Sequence, residues 1–244
     1  MIGRNALILL GFLLSSTANA DPVKIAVAAN FAKVAEALAD NFEADGHGRI
    51  AIVIGSTGAL YLQITQGAPF EAFLAADRER PERLEVEGLT IPGSRFTYAL
   101  GHLALYTRRG AMPDADTLAS AHFQRLAIAN PTTAPYGAAA IEAISALGLM
   151  DHLSTKLVRG KSVAQAFQFA WSGSAEYALV SEAQAQDSAE GNFWPLPRNL
   201  YQPIAQDAVL TINASPKAAE FLNFMKSPAA QALIARAGYS IAPH

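Results

Sequence analysis

The sequence contains no cysteine, and this absence excludes several classes of protein at once. Disulfide-stapled folds, thiolate metal sites and cysteine nucleophiles all need a thiol. An exported lipoprotein needs a cysteine at its processed N-terminus, so we expect no lipid anchor. Basic residues are also few, because 18 lysines and arginines stand against 21 acidic residues, whereas a nucleic-acid-binding surface needs a basic excess. The composition therefore predicts no nucleic-acid partner.

Catalytic and metal-binding motifs are missing as well. The five histidines show no H-E-x-x-H spacing or other paired arrangement of metal ligands. Gly160-Lys161-Ser162 has the form of the end of a phosphate-binding loop, but Thr155 stands where that loop requires glycine. The G-x-S-x-G elbow of a serine hydrolase is absent too. We therefore predict no catalytic residue and no metal cation site, and an enzyme is the weaker of the functional classes.

The first 20 residues have the layout of a secretory signal peptide. Arg4 precedes an apolar run over residues 6–14, and the segment ends in Ala18-Asn19-Ala20, an A-x-A cleavage pattern. A membrane-spanning helix is the alternative, but the run is too short to cross about 30 Å of hydrocarbon. We expect cleavage after Ala20 and a mature protein in the bacterial periplasm.

Beyond residue 20 the chain alternates between strand and helix patterns. An apolar stretch over residues 23–29 is followed by Asn30, at an N-cap position, and by a helical stripe from Phe31 to Phe42. The same order recurs at Leu126–Ala129, which precedes an alanine-rich helical pattern over residues 138–147. This alternation predicts an α/β protein whose mostly parallel sheets are flanked by helices. The length of the mature chain fits two such lobes better than one.

Four predicted junctions carry small polar or helix-opening residues where a helix begins. They contain Asn30, Ser56 with Thr57, Ser162 and Pro135-Tyr136-Gly137. The first turn of a helix has unpaired N–H groups, and these groups together with the helix dipole favour a bound anion. Each polar junction taken alone is more simply explained by ordinary helix capping, which is the commonest use of these residues. An anion site follows only if the four junctions converge, which spacing along the chain does not establish.

Several specific segments follow one another through essentially the whole mature chain. They are residues 28–31 (AANF), 55–64 (GSTGALYLQI), 67–77 (GAPFEAFLAAD), 92–99 (PGSRFTYA), 130–131 (NP), 134–137 (APYG) and 237–239 (AGY). Together they resemble the periplasmic molybdate-binding proteins of ABC transporters, which are type II periplasmic solute-binding proteins. The resemblance implies a two-lobed fold with the ligand in the interlobe cleft. Lobe I would comprise residues 21–100 and 206–244, and lobe II residues 101–205.

The resemblance also implies how the oxyanion is held, through neutral hydrogen-bond donors at the four junctions. The implied binding residues are Ala29, Asn30, Thr57, Tyr136 and Val163, with Ser56, Ser162 and Ser181 as further candidates. Thr57 and Ala75 stand where the family usually has serine, and two further departures bear on the donors. Ala29 stands where relatives have a hydroxyl residue, and Ser181 stands where some members have a ligand tyrosine.

The expected function is therefore capture of molybdate or tungstate and its delivery to the membrane permease of an ABC importer, by a monomer without a cofactor. Molybdenum would be present only within the bound oxyanion. Two alternatives remain open at this point. The chain could bind another oxyanion, such as sulfate, or it could be an exported enzyme that uses the same cleft for small phosphorylated or carboxylated substrates.

Overall fold

The computed structural model describes residues 21–241, so the predicted signal peptide and its cleavage site lie outside the described residues. The strands β1 to β10 are Val23–Ala28, Ile50–Gly55, Ala72–Leu74, Phe96–Gly101, Leu103–Thr107, Leu126–Ala129, Leu157–Gly160, Tyr177–Ser181, Asn192–Pro195 and Ile204–Leu210. The helices α1 to α10 are Ala32–Ala44, Thr57–Thr65, Glu79–Val86, Ala115–Ser120, Pro135–Ala146, Met150–Leu153, Val163–Trp171, Glu182–Gln186, Pro216–Phe224 and Pro228–Arg236. Two short 3-10 helices cover Ser154–Lys156 and Arg198–Leu200.

The strands form two sheets with the same internal plan. The first has the order β2-β1-β3-β10-β4, with β1 parallel to β2 and β3, and β10 antiparallel to β3 and β4. The second has the order β7-β6-β8-β5-β9, with β6 parallel to β7 and β8, and β5 antiparallel to β8 and β9. Within the described chain, each sheet thus has four strands pointing one way and one reversed strand. The predicted two-lobed α/β fold is confirmed, and the reversed strands make both sheets mixed.

The reversed strand of each sheet is the one that receives the chain from the other sheet. β4 ends at Gly101 and β5 begins at Leu103, so His102 is the single residue between the two sheets at this crossing. The chain returns after β9 and enters the first sheet through β10. Two consecutive parallel strands of one sheet need a crossover connection, usually a helix, between them. A strand that arrives from another sheet has no such connection, so it can run antiparallel to its neighbours.

The apolar pattern of the first helix is confirmed. The buried residues of α1 include Val34, Ala35, Leu38 and Phe42, and Phe31 just before the helix is buried as well. These side chains pack with β1 and with the two C-terminal helices in one apolar core. β6, β8 and α5 contribute to a separate core in the other half of the molecule. Each sheet therefore packs into a core of its own, and the core of the second half extends to Ala28, Ala76 and Ile204 of the first.

One predicted helix cap is wrong, and one helix starts before its apolar pattern. Asn30 is not the N-cap of α1, because Phe31 holds that position and no side chain caps it. The Asn30 amide instead donates to Gln206 and Tyr239, which are buried partners far along the chain. α5 begins at Pro135, three residues before the alanine-rich pattern, so the prediction that Pro135-Tyr136-Gly137 opens a helix is confirmed.

Candidate anion-binding site

One small cavity brings the four predicted junctions together. It is a space of about 200 Å³ between the two sheets, part of which is open to solvent. Its lining residues are Ala28, Ala29, Asn30, Ser56, Thr57, Ala76, Ala134, Pro135, Tyr136, Ser162 and Val163. Seven of the eight residues named from the sequence therefore line the same cavity. Ser181 does not, because its buried hydroxyl lies behind the wall and donates to the Tyr136 hydroxyl oxygen at 3.2 Å.

Three helices begin at this cavity and supply backbone N–H groups. α2, α5 and α7 start at Thr57, Pro135 and Val163. N–H groups in a first turn have no partner inside their own helix. Within residues 21–241, no carbonyl oxygen accepts a hydrogen bond from the backbone N–H of Thr57, Tyr136 or Val163. The N-terminal ends of the three helix dipoles add positive potential at the same place, so the cavity is suited to an anion.

Close packing brings the start of α5 to the cavity. Gly137 lies against the end of β6, where a Cβ atom would overlap the backbone of Ala129 and Asn130. A glycine is therefore needed for the helix to approach the strand so closely. The preceding N–H group, that of Tyr136, belongs to the cavity wall as a result.

The Thr57 hydroxyl is placed so that it can donate a hydrogen bond to a ligand. Its hydroxyl oxygen accepts a hydrogen bond from the Ala76 N–H at 3.1 Å, and the residue is only 1% exposed. Because the oxygen already has a donor, the hydroxyl proton is available to a ligand. The neighbouring Ser56 and Ser162 have another role, since each caps its helix by accepting from the backbone N–H three residues on.

The first loop offers fewer donors than the sequence suggested. The Ala29 N–H donates to the Gly55 carbonyl oxygen at 2.9 Å, so Ala29 lines the cavity without a free backbone donor. The Asn30 side-chain amide donates to Gln206 Oε1 at 2.9 Å and to the Tyr239 hydroxyl at 3.2 Å. In the part of the chain that the structure describes, the Asn30 N–H has no bonded acceptor.

Sequence reasoning missed the polar residues behind the cavity. Gln206 and Tyr239 are buried and bonded to Asn30, and the Tyr98 hydroxyl donates to Gln206 Oε1 at 3.0 Å. The detectable signal was the pair Gln206-Asp207 inside the otherwise apolar strand β10. Buried polar side chains need partners, so a polar pair in such a strand indicates an internal network.

The walls of the cavity are electrically neutral, since no charged side chain is among its lining residues. Burial raises the pKa of Tyr239 to about 12 and raises the pKa of Tyr98 and of Tyr136 well above the ordinary value. These phenols therefore stay uncharged near neutral pH. Burial also raises the pKa of Asp77, beyond the wall, although Arg80 opposes this shift. Among residues 21–241, no group of three histidine or acidic side chains is placed to hold a metal ion.

Contacts between the two halves enclose the cavity. The Gly58 N–H donates to the Thr133 carbonyl oxygen at 2.8 Å, and Arg80 donates to the Thr132 carbonyl at 3.0 Å. On another side, Lys33 of α1 pairs with both carboxylate oxygens of Asp187, at 2.6 and 2.7 Å. The loops of the two halves therefore meet around the cavity.

The arrangement of the chain has a match among known families. Residues 23–240 match a family model described as bacterial extracellular solute-binding protein. This chain belongs to the bacterial extracellular solute-binding proteins. The described residues of this solute-binding protein include no helix with the length and apolar character needed to cross a membrane.

Individual relatives make the match more specific. The chain is 43% identical over 236 residues to the molybdate-binding protein ModA of Azotobacter vinelandii, with 94% of each chain covered. It is 43% identical over 230 residues to ModA of Rhodobacter capsulatus, covering 93% of this chain and 91% of the relative. The solved structure of the periplasmic molybdate-binding protein of Azotobacter vinelandii matches with a TM-score of 0.86 and 38% identity, covering 91% of this chain and 100% of that one. The resemblance inferred from the sequence segments is confirmed.

Proposed function

We propose that this solute-binding protein captures molybdate or tungstate in the cavity between its sheets and delivers the anion to the membrane permease of an ABC importer. The observation that carries the proposal is the convergence of helix starts from both halves on one cavity lined by neutral groups. The extensive identity to two molybdate-binding proteins supports the choice of ligand.

The proposed donors are the Thr57 hydroxyl and the N–H groups of Asn30, Thr57, Tyr136 and Val163. Hydrogen bonds to a charged group contribute about 1.5–3 kcal/mol each, so this set supports tight binding after ordering costs are subtracted. Ser56 and Ser162 act by capping the helices that present the donors. Ala29 shapes the wall, and Ser181 acts through Tyr136.

Selection between anions follows from the same donors. A fully deprotonated tetrahedral dianion accepts a hydrogen bond from every donor around it. A protonated phosphate carries an O–H that would face another donor and find no acceptor, so it binds less well. Sulfate differs in size, and we propose that the fit of the cavity excludes it. The net charge of the protein slows the approach of an anion without deciding what the site holds.

We further propose that the protein works in the periplasm as a monomer after cleavage following Ala20. Lobe I would comprise residues 21–100 and 206–244, and lobe II residues 101–205. These boundaries lie within two residues of the crossing at His102 and of the start of β10 at Ile204. The described part of the chain folds as two such sheets on one polypeptide, and no catalytic role is assigned to the cavity.

Calorimetric titration of the purified mature protein with molybdate, tungstate, sulfate and phosphate tests the proposal. We expect tight 1:1 binding of molybdate and tungstate and no comparable binding of the other two. Preference for sulfate would replace the proposed ligand by another oxyanion. Failure to bind any of the four would overturn the proposal and favour an exported enzyme that uses the same cleft.

A further inference from the structure

Gln206 is a completely buried amide in the strand that carries the chain back into the first sheet. Its side chain is hydrogen-bonded at both ends. Oε1 accepts from the Asn30 amide at 2.9 Å and from the Tyr98 hydroxyl at 3.0 Å. Nε2 donates to the Tyr136 hydroxyl oxygen at 3.3 Å. A polar side chain with 0% exposure and hydrogen-bond partners at both ends is held in one position and one conformation.

The two ends of this amide reach residues on opposite sides of the cavity. Asn30 follows β1 of the first sheet, whereas Tyr136 lies in the first turn of α5, beside the second sheet. Both residues line the cavity. One side chain therefore connects the cavity wall of one half to the cavity wall of the other.

The Tyr136 hydroxyl also packs against Gly101, beside the point where the chain first passes from one sheet to the other. Gly101 is the last residue of β4 before the chain passes into the second sheet. A Cβ atom at Gly101 would overlap the Tyr136 hydroxyl oxygen and crowd Gln206 Nε2. The Tyr136 hydroxyl and the Gln206 amide thus meet beside the end of β4, where the chain leaves the first sheet. Gln206 itself lies in β10, through which the chain returns to that sheet.

We propose that Gln206 is a positioning residue that couples the two halves of the anion site. It holds the loop of Asn30 and the start of α5 in a fixed register, so that the N–H groups of both face one ligand. The inference rests on the proposed function and adds a residue that does not touch the anion. Gln206 favours the closed arrangement in which both sets of donors are within reach, and it slows escape of the bound anion.

Replacing Gln206 by methionine tests the coupling with a side chain of similar length. Gln206→Met removes all three hydrogen bonds of the side chain, and we expect molybdate affinity to fall about tenfold or more. Most of this change should be a faster dissociation rate, measured by stopped-flow fluorescence, with the association rate little altered. The matched control is Thr97→Val, which removes a hydrogen bond to the neighbouring Asp207 within the first sheet. This control should lower thermal stability and leave both rates of molybdate exchange unchanged.

A second variant separates coupling from folding. Tyr136→Phe keeps the backbone N–H in the cavity and removes the hydroxyl that Gln206 contacts, so it should also speed dissociation. In a double-mutant cycle, Tyr136→Phe should have less effect on affinity in the Gln206→Met background than in the wild type. If Gln206→Met does not fold, Tyr136→Phe with a wild-type dissociation rate overturns the inference.

The wild-type titration distinguishes the two proposals. If the wild type does not bind molybdate, the proposed function fails. If the wild type binds molybdate and Gln206→Met releases it at the wild-type rate, the positioning role of Gln206 fails while the function stands. Strictly additive effects of Gln206→Met and Tyr136→Phe on affinity would also reject the coupling.

Discussion

The backbone N–H of Ala76 donates to the hydroxyl oxygen of Thr57 at 3.1 Å, which leaves the hydroxyl proton of this cavity-lining residue available to another acceptor. A hydroxyl can act as donor or acceptor, so its neighbours decide which role it takes. Here the backbone that follows β3 makes Thr57 a donor. A neutral site binds an anion only if such groups present hydrogen atoms, and this contact provides one of them.

Thr57→Ala should weaken molybdate binding by about 1–3 kcal/mol, because one charge-assisted hydrogen bond is lost. Thr57→Ser keeps the hydroxyl and the Ala76 contact, so it should retain affinity within a few-fold. Calorimetry on both variants and the wild type provides the comparison. Wild-type affinity in Thr57→Ala would remove this hydroxyl from the site.

Val163→Pro tests a backbone donor by deleting it. Val163 is the first residue of α7, and the preceding Ser162 has extended backbone angles, which a following proline requires. Among residues 21–241, three helices already begin with proline, and in two of them the preceding serine, Ser215 or Ser227, still caps the helix. The helix of Val163→Pro should therefore persist. We expect a loss of affinity of about 1.5–3 kcal/mol from the missing N–H.

Two controls isolate that N–H group. Val163→Ala trims the buried side chain and keeps the donor, so it should lower stability more than affinity. Ala115→Pro places proline at the first position of α4, which also follows an extended residue but lies away from the cavity. It should leave affinity unchanged. Equal affinities of Val163→Pro and Val163→Ala would show that the Val163 N–H does not contact the anion.

The elements that the sequence predicts well are those whose signal is local. The apolar stripe from Phe31 to Phe42 is the buried face of α1, and Leu126–Ala129 is a strand with the predicted bounds. Ser162 caps α7, because the hydroxyl oxygen of a serine just before a helix can accept a hydrogen bond from a backbone N–H of the first turn. Such features depend on residues three or four positions apart, and these are visible in a single sequence.

The relations that the sequence does not predict are between distant residues. Asparagine is a residue type that often caps helices, but the side-chain amide of Asn30 donates to Gln206, 176 positions away. The Ala29 N–H is used by Gly55 of the neighbouring strand, which depends on the register of β1 against β2. Periodicity carries no information on that register. The convergence of the four junctions is likewise a consequence of strand order, so the site could be named from resemblance but not from spacing.

The Lys33–Asp187 ion pair should contribute little to binding although it joins the two halves. Its side chains are 75% and 51% exposed, and exposed pairs are worth about 0–1 kcal/mol. Lys33→Ala should therefore weaken molybdate binding less than about fivefold in dilute buffer, and the difference should vanish at high salt because exposed charges are screened. Affinities measured at two ionic strengths test this. A loss as large as that of Thr57→Ala, persisting in salt, would make the pair a main closing contact.

Stability should fall steeply at alkaline pH because phenols are buried behind the cavity. Burial raises the pKa of Tyr239 to about 12 in the folded protein, and it raises the pKa values of Tyr98 and Tyr136 as well. In the unfolded chain a tyrosine releases its proton near pH 10. The stabilising contribution of each neutral phenol is therefore complete below about pH 10 and is lost as the pH rises toward the folded-state value.

Between about pH 10 and pH 12 the unfolded chain binds fewer protons than the folded one, so each such tyrosine lowers the free energy of unfolding by about 1.4 kcal/mol per pH unit. Urea denaturation across this range measures the slope, and tyrosinate absorbance reports the ionisation that accompanies unfolding. Tyr239→Phe removes one titrating group and should flatten the slope by one such share, even though it also loses the hydrogen bond to the Asn30 carbonyl at neutral pH. An unchanged slope in Tyr239→Phe would mean that Tyr239 ionises in the folded protein as readily as in the unfolded chain.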